Sequence, residues 1–215
     1  MSLRGRCALA SGALLTSVCA VANVQEPPYT TQTRDDAFEV RAYGVRIVAE
    51  TTVSGDWNEA GNEGFRRLAG YIFGKNRSHA KIAMTAPVAQ AKTEEGERLA
   101  MTAPVAQHRQ GTSWTVAFTM PEGATLATLP IPDDPRVVLR EIPPSRVAVV
   151  RFSGRWTVKN MNEHEEELRR WTSARKLAVV GEPEVNRYDP PFKLWFLRRN
   201  EVWLELADDA GPPTP

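Results

Sequence analysis

Catalysis needs groups that trade protons, attack substrates or hold a metal, and this chain carries few of them in useful spacing. Its histidines are His79, His108 and His164, and its cysteines are Cys7 and Cys19. No Gly-x-Ser-x-Gly elbow, His-Glu-x-x-His pair or glycine-rich phosphate loop occurs. Ser78 and His79 are neighbours in sequence, which seldom makes a working dyad. Glu201 is more informative, because it is a carboxylate heading the apolar run Val202-Trp203-Leu204. Strand alternation turns it inward, where its structural role is a buried partner for Arg198 or Arg199. The expectation is a binding protein, not an enzyme.

The 215 residues carry 27 Lys and Arg against 26 Asp and Glu, so no overall positive field gathers a polyanion, and nucleic acid is an unexpected partner. At the start, Arg4 and Arg6 precede an uncharged, apolar stretch from Cys7 to Ala22. It falls short of the roughly 20 residues of a spanning helix. Ala20-Val21-Ala22 supplies a small-x-small cleavage pattern, so residues 1–22 read as a signal peptide cut after Ala22, with an uncleaved anchor or a buried N-terminal helix as the competing reading. Cleavage removes both cysteines, leaving no disulfide, and makes the compartment periplasmic or extracellular. Thr16-Ser17-Val18 is a poor lipobox for Cys19. Residues 23–36 form a polar lead-in, 37–206 the folded domain and 207–215 a disordered tail.

Elements follow from periodicity. Phe38–Tyr43 alternates, and Val45–Val53 is rich in β-branched residues, with Gly44 at the turn. Asp56 and Glu59 then open a helix whose Trp57, Ala60, Phe65, Leu68 and Ile72 recur near a period of 3.6, with Gly74 closing it. The order returns about one hundred residues later: strands Val138–Ile142 and Arg146–Phe152, then a helix opening at Asn160 and Glu163, with acids near its start and arginines toward its end. Ser54-Gly55-Asp56-Trp57 matches Ser153-Gly154-Arg155-Trp156. Further strands are expected at Lys81–Val88, Leu99–Val105 and Trp114–Met120 in the first half. In the second they are expected at Glu184–Tyr188, Lys193–Leu197 and Glu201–Leu206. The fold class is therefore α+β: two pseudo-repeated ββαββ halves forming a largely antiparallel, distorted β-barrel with two flanking helices, and a cleft where the halves meet.

Several motifs stand in a definite order: Tyr71-Ile72-Phe73-Gly74-Lys75-Asn76, Lys81-Ile82-Ala83-Met84-Thr85-Ala86-Pro87-Val88, Phe152-Ser153-Gly154, Tyr188-Asp189-Pro190-Pro191 and Arg199-Asn200-Glu201-Val202-Trp203. In these the chain resembles the SOUL heme-binding family, over Tyr29 to Leu206. Leu99-Ala100-Met101-Thr102-Ala103-Pro104-Val105 echoes the Met-Thr motif, and the two copies read as a hairpin with core methionines.

The resemblance implies a soluble binder of heme or a related tetrapyrrole, held non-covalently in an apolar groove between the first helix and a loop near the C-terminal strands. Phe65, Leu68, Ala69 and Ile72 would give the helical wall, Tyr188, Pro191 and Phe192 the facing one, and Arg66 and Lys193 the cations for the ring's carboxylates. Leu68 and Ile72 equally fit the helix's core face. One branch of the family places an iron-binding histidine between the first strand's arginine and tyrosine, but here Ala42 separates Arg41 from Tyr43. That leaves His79 as the candidate for an iron contact, with His108 read as a solvated loop residue and His164 as a cap on the apolar edge of its helix. The relation to effector-binding domains makes Glu201 a possible ligand-contacting acid, and a general binding module for hydrophobic or cationic compounds is the alternative function.

Overall fold

Strand structure begins earlier in the chain than its polarity suggests. In the computed structural model, which describes residues 25–78 and 96–207, β1 (Tyr29–Asp35) runs antiparallel to β2 (Phe38–Tyr43). Asp36 makes the turn at a positive φ of 53°, a region aspartate tolerates. Part of the stretch expected as a polar lead-in is therefore an edge strand, polar because all of it beyond Tyr29 faces solvent. The chain continues through β3 (Arg46–Ser54), α1 (Trp57–Ile72), β4 (Asn76–Arg77), β5 (Val105–Gln110), β6 (Ser113–Thr119) and β7 (Ile131–Pro132). It closes with β8 (Val138–Ile142), β9 (Ser145–Phe152), α2 (Val158–Ala174), β10 (Val179–Arg187) and β11 (Asn200–Leu206).

Nine strands form one antiparallel sheet in the order β1-β2-β9-β11-β10-β5-β6-β3-β8, and β4 pairs with β7 apart from it. The α+β class, two helices and large antiparallel sheet are as expected, but the barrel is not closed among the described residues. The reason is visible in the order: β1 occupies the edge of β2 that β8 would need. Two other expected strands are absent. Leu99–Pro104 is irregular, with Thr102 making a single parallel bridge to Gln25. Lys193–Leu197 contains a turn of 3-10 helix at Trp195–Leu197. His108, expected in a loop, lies within β5 opposite Thr115 and Glu184. The leader 1–22, His79, the first Met-Thr motif at 81–88 and the end of the tail lie outside the described residues.

Both helices are capped. Asp56 Oδ1 accepts the N–H groups of Asn58 and Glu59 at 2.8 and 2.9 Å, and α1 ends at Gly74, whose φ of 107° suits glycine. Thr157 caps α2 by accepting the Asn160 N–H at 3.3 Å, so this helix starts earlier than expected. Its first turn holds no acid, and the expected complement to the dipole is not formed. Glu165 and Glu166 instead pair along the surface with Arg169 and Arg170.

Each helix lies on the sheet over its own core. Leu68, Tyr71 and Ile72 of α1 pack on Ile47, Ala49, Val116 and Phe118. Met161, Leu168 and Trp171 of α2 pack on Val150, Phe152, Val202 and Leu204. Gly64 lets α1 sit this close, since a Cβ there would stand 2.5 Å from Val116 Cγ2. Alternation sends Val147, Val149 and Trp203 to the opposite face, where they cluster with Tyr43.

Candidate functional site

On that opposite face sits a closed electrostatic network. Glu201 of β11 is fully buried, and its Oε2 accepts from Arg41 Nη1 at 2.8 Å, Tyr188 OH at 2.7 Å and Trp203 Nε1 at 2.8 Å. Its Oε1 accepts from Arg41 Nη2 at 3.1 Å and from Arg199 Nε and Nη2 at 3.0 and 2.9 Å. Glu39 and Glu26 pair with the outer sides of Arg41 and Arg199. Burial alone would raise the Glu201 pKa, but hydrogen bonds and charge from Arg41, followed by Arg199 and Tyr188, hold it below the ordinary glutamate range. Burial and then the Glu201 charge push the Tyr188 hydroxyl well above the phenol range, so it stays a donor. A carboxylate with every lone pair engaged by fixed donors is a clamp, and it has no capacity left for a cationic guest. The partner foreseen in Arg199 is present; Arg198 instead donates to the Lys193 and Pro191 carbonyls.

The residues expected to line a groove take distinct positions. Leu68 and Ile72 are 0% and 1% exposed within the core, so they offer no surface to a ligand. Ala69 is half-buried, and Phe65 is 42% exposed with its ring edge against Phe118. Arg66 is an exposed cation already paired with Glu63. On the other wall, Tyr188 belongs to the Glu201 clamp, Lys193 Nζ pairs with Asp189 at 2.6 Å, and Pro191 is exposed. Phe192 is 87% exposed.

Phe192 does not stand alone. Leu194, Trp195, Phe196 and Leu197 follow it, all between 47% and 58% exposed, forming an apolar ledge between β10 and β11. The ledge is docked on the corner before α2: Gly154 N–H donates to Trp195 O at 3.1 Å, and the Arg155 guanidinium lies 5.5 Å from the Trp195 ring. Expecting Lys193–Leu197 to be a strand hid this feature, although the sequence Phe-Lys-Leu-Trp-Phe-Leu directly after Pro190-Pro191 signals it.

Between ledge and α1 lies Arg187, which sequence reasoning missed. Its guanidinium sits 5.6 Å from the Trp57 ring and 5.2 Å from Trp156, while Arg198 lies 4.4 Å from Trp156. Arg187 Nη2 donates to Gln107 Oε1 at 3.0 Å. Gly61 makes this approach possible, because a Cβ there would be 2.7 Å from Nη2. No described carboxylate pairs with Arg187, and burial pushes its pKa down to about 10. Beyond Trp57 and Gln107 a separate cleft of about 330 Å³ opens between the two helices, walled by Trp114, Val158, Met161 and Val185.

As for iron donors, His164 is stacked on Phe152 at 4.1 Å and bonded through Nδ1 to Glu167 at 2.8 Å, and His108 is held in the sheet. No helix among the described residues is long and apolar enough to cross a membrane.

Residues 24–205 match the family model described as SOUL heme-binding protein. The chain is 30% identical over 173 residues to Heme-binding protein 2 of Homo sapiens, covering 78% of this chain and 77% of that one. It is 29% identical over 175 residues to Heme-binding protein 2 of Mus musculus, with the same coverage. Among solved structures, the C-terminal domain of EcmrR has a similar fold, with a TM-score of 0.56 at 9% identity over 83% of this chain and 98% of that one.

Proposed function

The chain belongs to the SOUL heme-binding protein family, and from that premise we propose that it is a non-enzymatic binder of heme or a related tetrapyrrole, held against the ledge Phe192–Leu197 and the adjoining side of α1. The observation that carries the reading is the ledge itself. Five large apolar side chains exposed within one six-residue segment are costly in water, and such exposure suits a binding surface. A tetrapyrrole offers a flat apolar body for Phe192, Trp195 and Phe65 to cover, plus carboxylates that need cations.

The residues fit that ligand. Aromatic rings supply the walls, and Arg187 is a cation with no carboxylate partner among the described residues. Heme, when bound, supplies the chemistry of its iron; the chain's part is to bury, orient and shield the ring, and no described side chain is assigned to the metal. The cationic version of the general-binder alternative lacks its acid, since Glu201 is saturated. The reading also takes the chain as two related halves. Exchanging β2, β3, β5 and β6 with β8, β9, β10 and β11 leaves their strand order unchanged on reversal, and Gly55 and Gly154 turn their corners at φ of 119° and 126°.

Hemin titrated into the protein is expected to give a saturable Soret shift in the micromolar range. Replacing Phe192 and Trp195 together by alanine, at exposed positions that contribute little to the core, is expected to weaken binding about tenfold or more by removing two ring contacts while leaving thermal stability nearly unchanged. Absence of a Soret shift in the parent protein, or full affinity in the double variant, contradicts the proposal. Export before Asn23 is part of the same reading, supported by Arg4, Arg6 and the apolar run that follows. The secreted product should have an intact mass starting at Asn23; a product retaining Met1 would refute it.

A further inference from the structure

We propose that Arg187 is the anchor for a ligand carboxylate, a role sequence reasoning had given to Arg66 and Lys193. The inference rests on the tetrapyrrole reading and adds the group that recognises the ring's acid side chains. Lys193 is paired with Asp189, and Arg66 is a largely solvent-exposed cation that shares Glu63 with Arg67. Both already have a carboxylate partner, and exposed pairs of this kind contribute little to recognition.

Arg187 is different in each respect. It is half-buried, lies against the rings of Trp57 and Trp156, and has a neutral amide, Gln107 Oε1, as its hydrogen-bond acceptor. Keeping a guanidinium in such a place without an anion is unfavourable, because burial penalises the charge and neutral acceptors repay only part of it. The aromatic faces lessen that cost and leave the edge of the fork available. Four structural features converge to hold it there: Gly61 clears the space, Gln107 fixes one nitrogen while its own Nε2 donates to Trp57 O at 3.0 Å, and Trp156 is itself held by Asn200 Oδ1 at 2.7 Å. The remaining donors suit the planar, two-oxygen acceptor of a carboxylate. Arg187 lies beside α1 and shares the Trp156 ring with Arg198, which in turn bonds the Pro191 and Lys193 carbonyls at the ledge, so an acid bound at Arg187 can place its parent ring toward the ledge.

The test compares protoporphyrin IX with its dimethyl ester, which keeps the ring and removes both charges. Fluorescence titration of the parent protein is expected to show the diacid binding at least about tenfold tighter, the scale of a charge-assisted hydrogen bond. In Arg187→Gln the diacid should weaken to within about threefold of the ester, whose own affinity stays at the parent value. Gln107→Glu, which places an internal carboxylate on the same guanidinium, should erase the preference in the same way and serves if Arg187→Gln fails to fold. An unchanged diacid-to-ester ratio in either folded variant overturns the role of Arg187 while leaving tetrapyrrole binding intact. Failure of the parent to bind either porphyrin overturns the tetrapyrrole reading and this inference with it.

Discussion

Glu201→Gln is expected to destabilise the fold by about 3–5 kcal/mol, the scale for leaving buried charge uncompensated. The substitution keeps the shape but removes the charge that Arg41 and Arg199 share. Arg41 is almost wholly buried, and its remaining acid, Glu39, lies at the rim of the network. Tyr188 and Trp203 lose a charged acceptor at the same time, and the new amide must point its N–H groups at donors. In a domain of this size the loss lowers the melting temperature by roughly 10 °C. A calorimetric shift under 2 °C, at the lower edge of what even about 1 kcal/mol produces, would show that the clamp contributes little.

This network and the buried tyrosines together set the pH range of stability. Glu201 has a depressed pKa in the fold, so its contribution is complete above the ordinary glutamate value of 4.5 and is lost as pH falls through its lower folded value. Tyr43, Tyr71 and Tyr188 are shifted upward from 10.0, mainly by burial, Tyr71 to about 12. Groups with raised pKa hold the fold below the unfolded value and release it as pH climbs through the folded one. Stability should therefore be flat between about pH 5 and pH 10 and decline on both sides, with the acid limb weakened in Glu201→Gln.

Leu68→Ala is expected to cost about 2–5 kcal/mol, yet to leave tetrapyrrole affinity of the folded protein unchanged. Leu68 is enclosed by Val116, Phe118 and Ile72, and truncating it opens a cavity under α1 without touching the surface. Phe65→Ala, one turn earlier and partly exposed, should reverse the pattern, with a small stability change and weakened binding. Equal loss of affinity in both variants would mean that the helical stripe acts as one wall, contrary to the burial seen here.

That contrast shows what the sequence could and could not resolve. Period 3.6 placed Phe65, Leu68 and Ile72 on one stripe, but a stripe is wider than the line of contact. Rotation of α1 against Val116 decides which members are core, and Gly64 sets that rotation through a contact no pattern reveals. Strand alternation placed Glu201 inward correctly, since alternation is a local property. Its partner Arg41, 160 residues away, depends on β9 lying between β2 and β11, which is global topology. The aromatic residues of the ledge suggest a strand, but β-propensity depends on context, and here Pro190-Pro191 and the backbone carbonyls bonded by Arg198 turn the chain aside. Arg187 escaped notice because an arginine in a strand carries no local signature of lacking an acid partner; that emerges only from the positions of the described acids in the fold.

The central claim, that a flat tetrapyrrole lies on the ledge beside α1 and Arg187, is tested most directly by chemical-shift mapping with the diamagnetic probe gallium protoporphyrin IX. Amide and indole signals of residues 57–65, Trp156 and 187–198 should move together and saturate at one equivalent. Shifts confined to the cleft at Trp114, Met161 and Val185, or to the opposite face at Arg46, Arg140 and Glu205, would contradict it.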